Sequence, residues 1–195
     1  MATSSSSLSS SDHNRMRMDP KLYHAAINGE IEVFKSRQSL QLELLLTPER
    51  NTVLHIHIIT SKMMLMMQPN AREGWTTMRY VKSLINKRKK LLLPQLVLDP
   101  RTIPFIEGIL NMCPALLTQT NVRGETPLLM AARYGHYHIV ESLIKCAKVL
   151  LPRQVHDLEV DISVVQNMIR MKNEEEDTAL HEAARFGHLE VVRIY

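Results

Sequence analysis

The chain has 195 residues, with 24 Lys and Arg against 20 Asp and Glu, and 45% of its residues are hydrophobic. That apolar content supports a packed core and excludes a wholly disordered or collagen-like chain. Only six glycines and 5% aromatic residues favour helices over a β-sandwich or a glycine-looped nucleotide binder, and Cys113 and Cys146 make neither a zinc knuckle nor a disulfide framework.

Residues 1–17 are Ser-rich, lack an apolar stretch of secretory length, and are expected as a disordered tail. A helix–turn–helix signal follows in L-Y-H-A-A-I-N-G-E-I-E-V-F, from Leu22 to Phe34, and a fragment of the same pattern in N-T-V-L-H-I-H-I-I, from Asn51 to Ile59. About 40 residues, roughly 63–102, then intervene before F-I-E-G-I-L-N-M-C-P-A-L-L-T-Q-T-N, Phe105 to Asn121, which reads as the second helix and exit loop of the interrupted unit. Within that insert, Met78, Val81, Leu84 and Ile85 fall on one helical face, with Arg79, Lys82, Lys87, Arg88, Lys89 and Lys90 supplying positive charge. Such a basic amphipathic stretch binds calmodulin, anionic lipid or a nuclear import receptor, or is a solvated insert.

The strongest copy is G-E-T-P-L-L-M-A-A-R-Y-G-H-Y-H-I-V-E-S-L-I, from Gly124 to Ile144. A second insert, about Lys148 to Met171, reads as a loop on the rim between repeats. The last copy is D-T-A-L-H-E-A-A-R-F-G-H-L-E-V-V-R-I, from Asp177 to Ile194.

Each residue type in the pattern has a physical role. Thr126 and Thr178 stand where a helix begins and can cap open backbone N–H groups, and Pro127 fits the first turn because it has no N–H to lose. The pairs Ala25/Ala26, Ala131/Ala132 and Ala183/Ala184 let neighbouring helices approach closely, while Gly29, Gly135 and Gly187 supply the left-handed residue that ends a helix. Ile139, Val140, Leu143 and Ile144, and Leu189, Val191, Val192 and Ile194, repeat at helical spacing, so one face of each second helix is buried. Equivalent positions lie 32 residues apart from Ala25 to His57, 74 from His57 to Ala131, and 52 from Ala131 to Ala183.

No Ser/His/Asp order, P-loop or G-x-G-x-x-G is present, so no catalytic residue and no cofactor site is expected. His55, His57, His136, His138 and His181 suggest a metal, but no Cys or carboxylate set completes a tetrahedral site, and structural roles are expected instead. A net charge of +4 without an aromatic or motif context gives no expectation of nucleic-acid binding. The most apolar windows are broken by His55, His57, Lys62, Gln68 and Pro94, short of the about 18 to 20 residues that span a bilayer, and a cytoplasmic chain is expected.

These residues resemble the ankyrin repeat, in which a T-P-L-H-x-A-A turn and helix is followed by G-H and a second helix of V-V-x-x-L-L type. The stretches M-D-P-K-L-Y-H-A-A-I-N-G at Met18, L-L-T-P-E-R-N-T-V-L-H-I-H at Leu45, I-L-N-M-C-P-A-L-L at Ile109 and N-E-E-E-D-T-A-L-H-E-A-A-R at Asn173 look like the plant accelerated-cell-death type of ankyrin protein. The resemblance implies an all-α ankyrin-repeat solenoid, with repeats near 18–48, 49–121 (interrupted by 63–102), 122–172 and 173–195, the last incomplete. It further implies protein–protein contacts in defence or cell-death signalling, with full-length members anchored at plasma membrane or endomembrane by a C-terminal block of spanning helices. The chain stops at Tyr195 inside a repeat, so a truncated or mis-spliced product is expected, with the insert as translated intron and self-association through an uncapped last helix.

In such a solenoid the partner meets finger and first-helix positions outside the core pattern. Those are Arg123, Glu125, Met130, Arg133 and Tyr134 in one repeat and Glu175, Glu182, Arg185 and Phe186 in the next. Glu174, Glu175, Glu176 and Asp177 make an acidic tip suited to a basic protein partner, whose identity the sequence does not give.

Overall fold

A computed structural model describes residues 18–37, 40–64, 99–150 and 160–195. Nine α-helices are placed among these residues: α1 (Pro20–Asn28), α2 (Ile31–Lys35), α3 (Val53–Met64), α4 (Thr102–Met112), α5 (Pro127–Arg133), α6 (Tyr137–Leu150), α7 (Val160–Arg170), α8 (Ala179–Arg185) and α9 (Leu189–Val192). No strand is present among them.

Local chemistry starts and stops these helices. Asp19, Thr126 and Thr178 cap α1, α5 and α8 by accepting from Lys21 N, Leu129 N and His181 N. Pro127 opens α5 at a position where a missing N–H leaves no donor unsatisfied. At the far ends, Gly29, Gly135 and Gly187 take φ of 67°, 73° and 73°.

Four helix pairs result, and their like members stack. α1, α3, α5 and α8 lie side by side in one layer, and α2, α4, α6 and α9 in a second. Ala25, Ala26, Ala131, Ala132 and Ala183 are buried in the first layer, where small side chains permit close approach. Between the layers runs one apolar core, from Leu22 and Phe34 through Ile58, Phe105, Ile109 and Leu128 to Leu143, Ala183 and Val191. Phe34 meets Phe105 edge to face, with ring centroids 5.8 Å apart.

Fingers precede the first-layer helices, and one polar residue organises each. Asn121 Oδ1 accepts from Arg123 N and Glu125 N, and Asn173 Oδ1 accepts from Glu175 N and Asp177 N. In the earlier repeat Thr47 takes this place, its Oγ1 accepting from Asn51 N. Three residues on, Arg50, Gly124 and Glu176 all have positive φ (58°, 70° and 63°), so two of the three finger tips carry strain that only glycine avoids. Adjacent fingers join through backbone: Val122 N donates to Glu49 O, and Glu174 N to Arg123 O.

Histidines stitch repeat to repeat. His57 Nδ1 lies 2.8 Å from Ala26 O and His188 Nε2 2.8 Å from Arg133 O, so each donates to a carbonyl in the last turn of the preceding repeat's first helix. His55 Nδ1 accepts from Thr52 N while its Nε2 donates to Glu125 O at 2.9 Å, which fixes the tautomer. His181 repeats the capping half of this arrangement on Thr178, and Leu129 at the equivalent place in α5 has no such group.

Two readings of the inserts change. Helical structure extends through Met64 and resumes at Thr102, so the ends of the segment expected at 63–102 belong to the helices flanking it. The second insert, expected as a rim loop, contains α7, which packs against α6 and α8. Val165, Met168 and Ile169 recur at helical spacing and turn inward, with Val165 and Met168 buried. The basic stretch with Arg79, Lys82, Lys87, Arg88, Lys89 and Lys90, and the tail at 1–17, lie outside the described residues.

Gly135 and Gly187 share the same φ, but a Cβ on Gly135 would stand 2.5 Å from His188 Nδ1, while one on Gly187 would meet nothing within 4 Å. Gly187→Ala is expected to lower stability by about 1 kcal/mol through backbone strain alone, and Gly135→Ala by about 2 to 3 because the imidazole cannot retreat without losing Arg133 O. Urea unfolding of both variants measures the difference, and equal losses would refute the clash. Burial lowers the pKa of His55 to about 4, against a smaller opposing effect of the Glu125 carbonyl. The unfolded chain therefore takes up this proton first as pH falls, and stability present above about pH 6.5 is lost progressively down to about pH 4, by about 3 kcal/mol. A urea midpoint unchanged between pH 7 and pH 5 would contradict this.

Candidate protein interface

The finger and first-helix residues of the third and fourth helix pairs fall into an inner and an outer set. Glu125, Met130 and Glu182, expected at a contact surface, are buried. Arg123, Glu175, Arg185 and Phe186 are exposed, and Arg133 and Tyr134 are partly covered. Phe186 keeps 54% of its surface open, and Val122 and Leu180 are exposed apolar residues of the same two repeats.

The inner set is held by a buried charge network. Arg133 presents its guanidinium edge-on to Glu182, with Nε to Oε2 and Nη2 to Oε1 both 2.8 Å, in a two-pronged pair that joins α5 to α8. The same guanidinium contacts Glu125. Asn121 Nδ2 donates to Glu125 Oε2 at 2.8 Å and Asn173 Nδ2 to Glu182 Oε1 at 3.2 Å, so each finger-organising Asn also holds the carboxylate behind it. The Glu182 side chain is 0% exposed and that of Arg133 19%.

The hydrogen bonds from Arg133 lower the Glu182 pKa against the opposing effect of burial, and those to Glu182 raise that of Arg133. Both groups therefore stay charged through the neutral range. Towards solvent the network continues through Arg185, which contacts Asp177 and pairs with Glu175 at 3.1 Å. Glu175, Asp177 and Glu182 bring carboxylate oxygens within 4.8 Å of one another, but Arg133 and Arg185 already occupy them, so the geometry is that of an ion-pair ladder.

The cysteines offer no reactive centre. Burial first, and then the Glu43 carboxylate 3.1 Å away, push the Cys113 thiol up to about 11, so it remains protonated. No helix of the described residues is long and apolar enough to cross a membrane.

Sequence reasoning missed the central roles of Asn121 and Asn173. Their signal is spacing, since they stand 52 residues apart like Ala131 and Ala183, each just before a finger turn.

Stacked helix pairs joined by hydrogen-bonded fingers define a repeat protein of the helical-solenoid class. The sequence model for ankyrin repeats matches residues 22–194 in three copies, and the chain belongs to the ankyrin repeat family. This fold is a non-catalytic scaffold for protein–protein contacts. Among curated proteins none matches the chain. Among solved structures, a chain from the complex of a predatory endopeptidase of Bdellovibrio bacteriovorus with an immunity protein is similar at 18% identity, over 91% of this chain and 84% of that one, with a TM-score of 0.37. An ankyrin repeat domain from Acinetobacter baumannii is similar at 17% identity, over 89% of this chain and 95% of that one, with a TM-score of 0.24.

Arg133→Met leaves buried Glu125 without its cation and buried Glu182 with only Arg185, 3.9 Å away, and is expected to cost about 3 kcal/mol. Arg133→Lys keeps the charge but loses the planar fork, for an expected loss of about 1 to 2 kcal/mol. Urea unfolding ranks the two, and an Arg133→Met variant within about 0.5 kcal/mol of wild type would show the network to be energetically idle.

Proposed function

We propose that Arg123, Tyr134, Glu175, Arg185 and Phe186 form the docking face of this interaction module, with Val122 and Leu180 beside them. The observation that carries the reading is the division between the two sets. Exposed side chains of mixed charge and an open aromatic ring stand on a backbone already fixed by the buried Arg133–Glu182 pair and by finger-to-finger hydrogen bonds. A partner docking on such a surface orders little backbone on binding, so more of the contact energy appears as affinity. The exposed Glu174, Glu175 and Glu176 in the finger before α8 suit a basic protein partner.

The resemblance to the plant accelerated-cell-death type supports a role in defence or cell-death signalling, with this chain acting in the cytoplasm and full-length members at a membrane. A protein captured by the wild-type chain is expected to be retained about tenfold less by the double variant Arg123→Glu, Phe186→Ser, whose melting temperature should match wild type. Equal retention by the two proteins would remove this face from the interaction.

A further inference from the structure

We propose that the groove where the turn between α1 and α2 meets the start of α4 is a docking site for an apolar protein segment bearing an arginine or lysine. No finger residue and no residue of a first-layer helix lines it. The groove has a volume of about 520 Å³, and Ile31, Val33, Pro100, Pro104 and Phe105 make its apolar walls. Glu30 and Glu32 stand exposed in the same lining.

The charges in the lining leave room for a cation and none for an anion. Arg101 is committed, because its Nε and Nη2 both donate to Asp99, at 3.1 and 2.7 Å. Asp99 also covers the start of α4: its Oδ1 accepts from Arg101 N and its carbonyl from Thr102 N, so this carboxylate already serves as the anion at that helix end. The glutamates, by contrast, are half used. Glu30 Oε1 accepts from Asn28 Nδ2 at 2.9 Å, and Glu32 Oε1 from Lys35 Nζ at 2.9 Å in a solvent-exposed pair. Among the described residues neither Oε2 has a partner. A Cβ on Gly29 would stand 3.2 Å from His57 Cε1, so the edge of that imidazole lies behind the groove. Its Nδ1 donates to Ala26 O, which makes Nε2 an acceptor, and that buried atom has no partner among the described residues. Unmet capacity around the groove is thus acceptor capacity, and an arginine or lysine answers it. Its aliphatic stem gains by covering Ile31, Val33 and the two prolines while its cation reaches the carboxylates.

The groove draws on the first two helix pairs and the face proposed above on the third and fourth, so either site can fail without the other. The test uses the full chain and two fluorescein-labelled amidated peptides, Ala-Leu-Arg-Ala-Leu-Arg and Ala-Leu-Glu-Ala-Leu-Glu, followed by fluorescence polarisation at low salt. Saturable binding of the arginine peptide, about tenfold tighter than that of the glutamate peptide, is expected. The double variant Glu30→Gln, Glu32→Gln keeps the size of both side chains and should weaken it about tenfold at an unchanged melting temperature. Pro104→Ser, which removes an exposed apolar wall, should weaken it about threefold. The Arg123→Glu, Phe186→Ser variant should bind the peptide as wild type does. Absence of saturable binding, equal affinity for both peptides, or arginine-peptide binding indifferent to both groove variants would overturn the proposal. So would a loss in the Arg123→Glu, Phe186→Ser variant equal to that in Glu30→Gln, Glu32→Gln. A rise of about tenfold on replacing Lys87, Arg88, Lys89 and Lys90 by glutamate would overturn it too, by assigning the groove to the chain's own basic stretch instead of a partner.

Discussion

Every helix ends with carbonyl groups that its own turns cannot satisfy, and in this protein the next repeat supplies the missing donors. His57 reaches Ala26 O, and His188 reaches Arg133 O, each near the end of a first-layer helix. His55 does the same service for the carbonyl of Glu125 in the finger that follows. An imidazole suits this work because its ring bridges the gap between stacked helices while its second nitrogen or its face remains available: His55 uses Nδ1 for the cap on Thr52, and His57 lies against Phe105 with centroids 4.4 Å apart. The order of the repeats thus follows from hydrogen bonds that no single repeat could make for itself.

A second stitch has different energetics. Arg133 and Glu182 gain a two-pronged hydrogen bond, but both lose water in forming it, and for buried pairs that loss rivals the gain. What the pair does provide is geometry. A planar guanidinium and a planar carboxylate meet well in one relative orientation, so α5 and α8 are held in a fixed register along the stack. The exposed neighbours Arg185 and Phe186 inherit that register because they lie at the end of the same helix.

Much of the fold was readable from the chain, because its strongest determinants are local. Thr126 and Thr178 cap within three residues, Pro127 needs no partner, and Gly135 and Gly187 answer to their own φ. The helix α7 was not readable, because its apolar repeat is short and sits in a stretch that appeared only as surplus spacing. The site was half legible for a related reason. Pattern position marks Glu125, Met130 and Glu182 as variable and hence as surface, but Arg133 pairs with Glu182 across 49 residues, and nothing in the local sequence of α8 announces its partner in α5. The strained tips at Arg50 and Glu176 escaped notice too, since only the third member of the set, Gly124, carries the residue that signals a left-handed turn.

The pairing of α3 with α4 has a bearing on chain connectivity. These two helices pack together although residues 65–98 separate their described ends. Closing even an unstructured link of that length costs only about 2 kcal/mol more than closing one of four residues, because the entropy of closure grows with the logarithm of length. Contacts through His57, Phe34 and Phe105 tie the two sides of the interruption together without using the covalent chain. The second repeat is thereby a natural port, where foreign sequence can be spliced in or the polypeptide divided while the solenoid on either side keeps its seams.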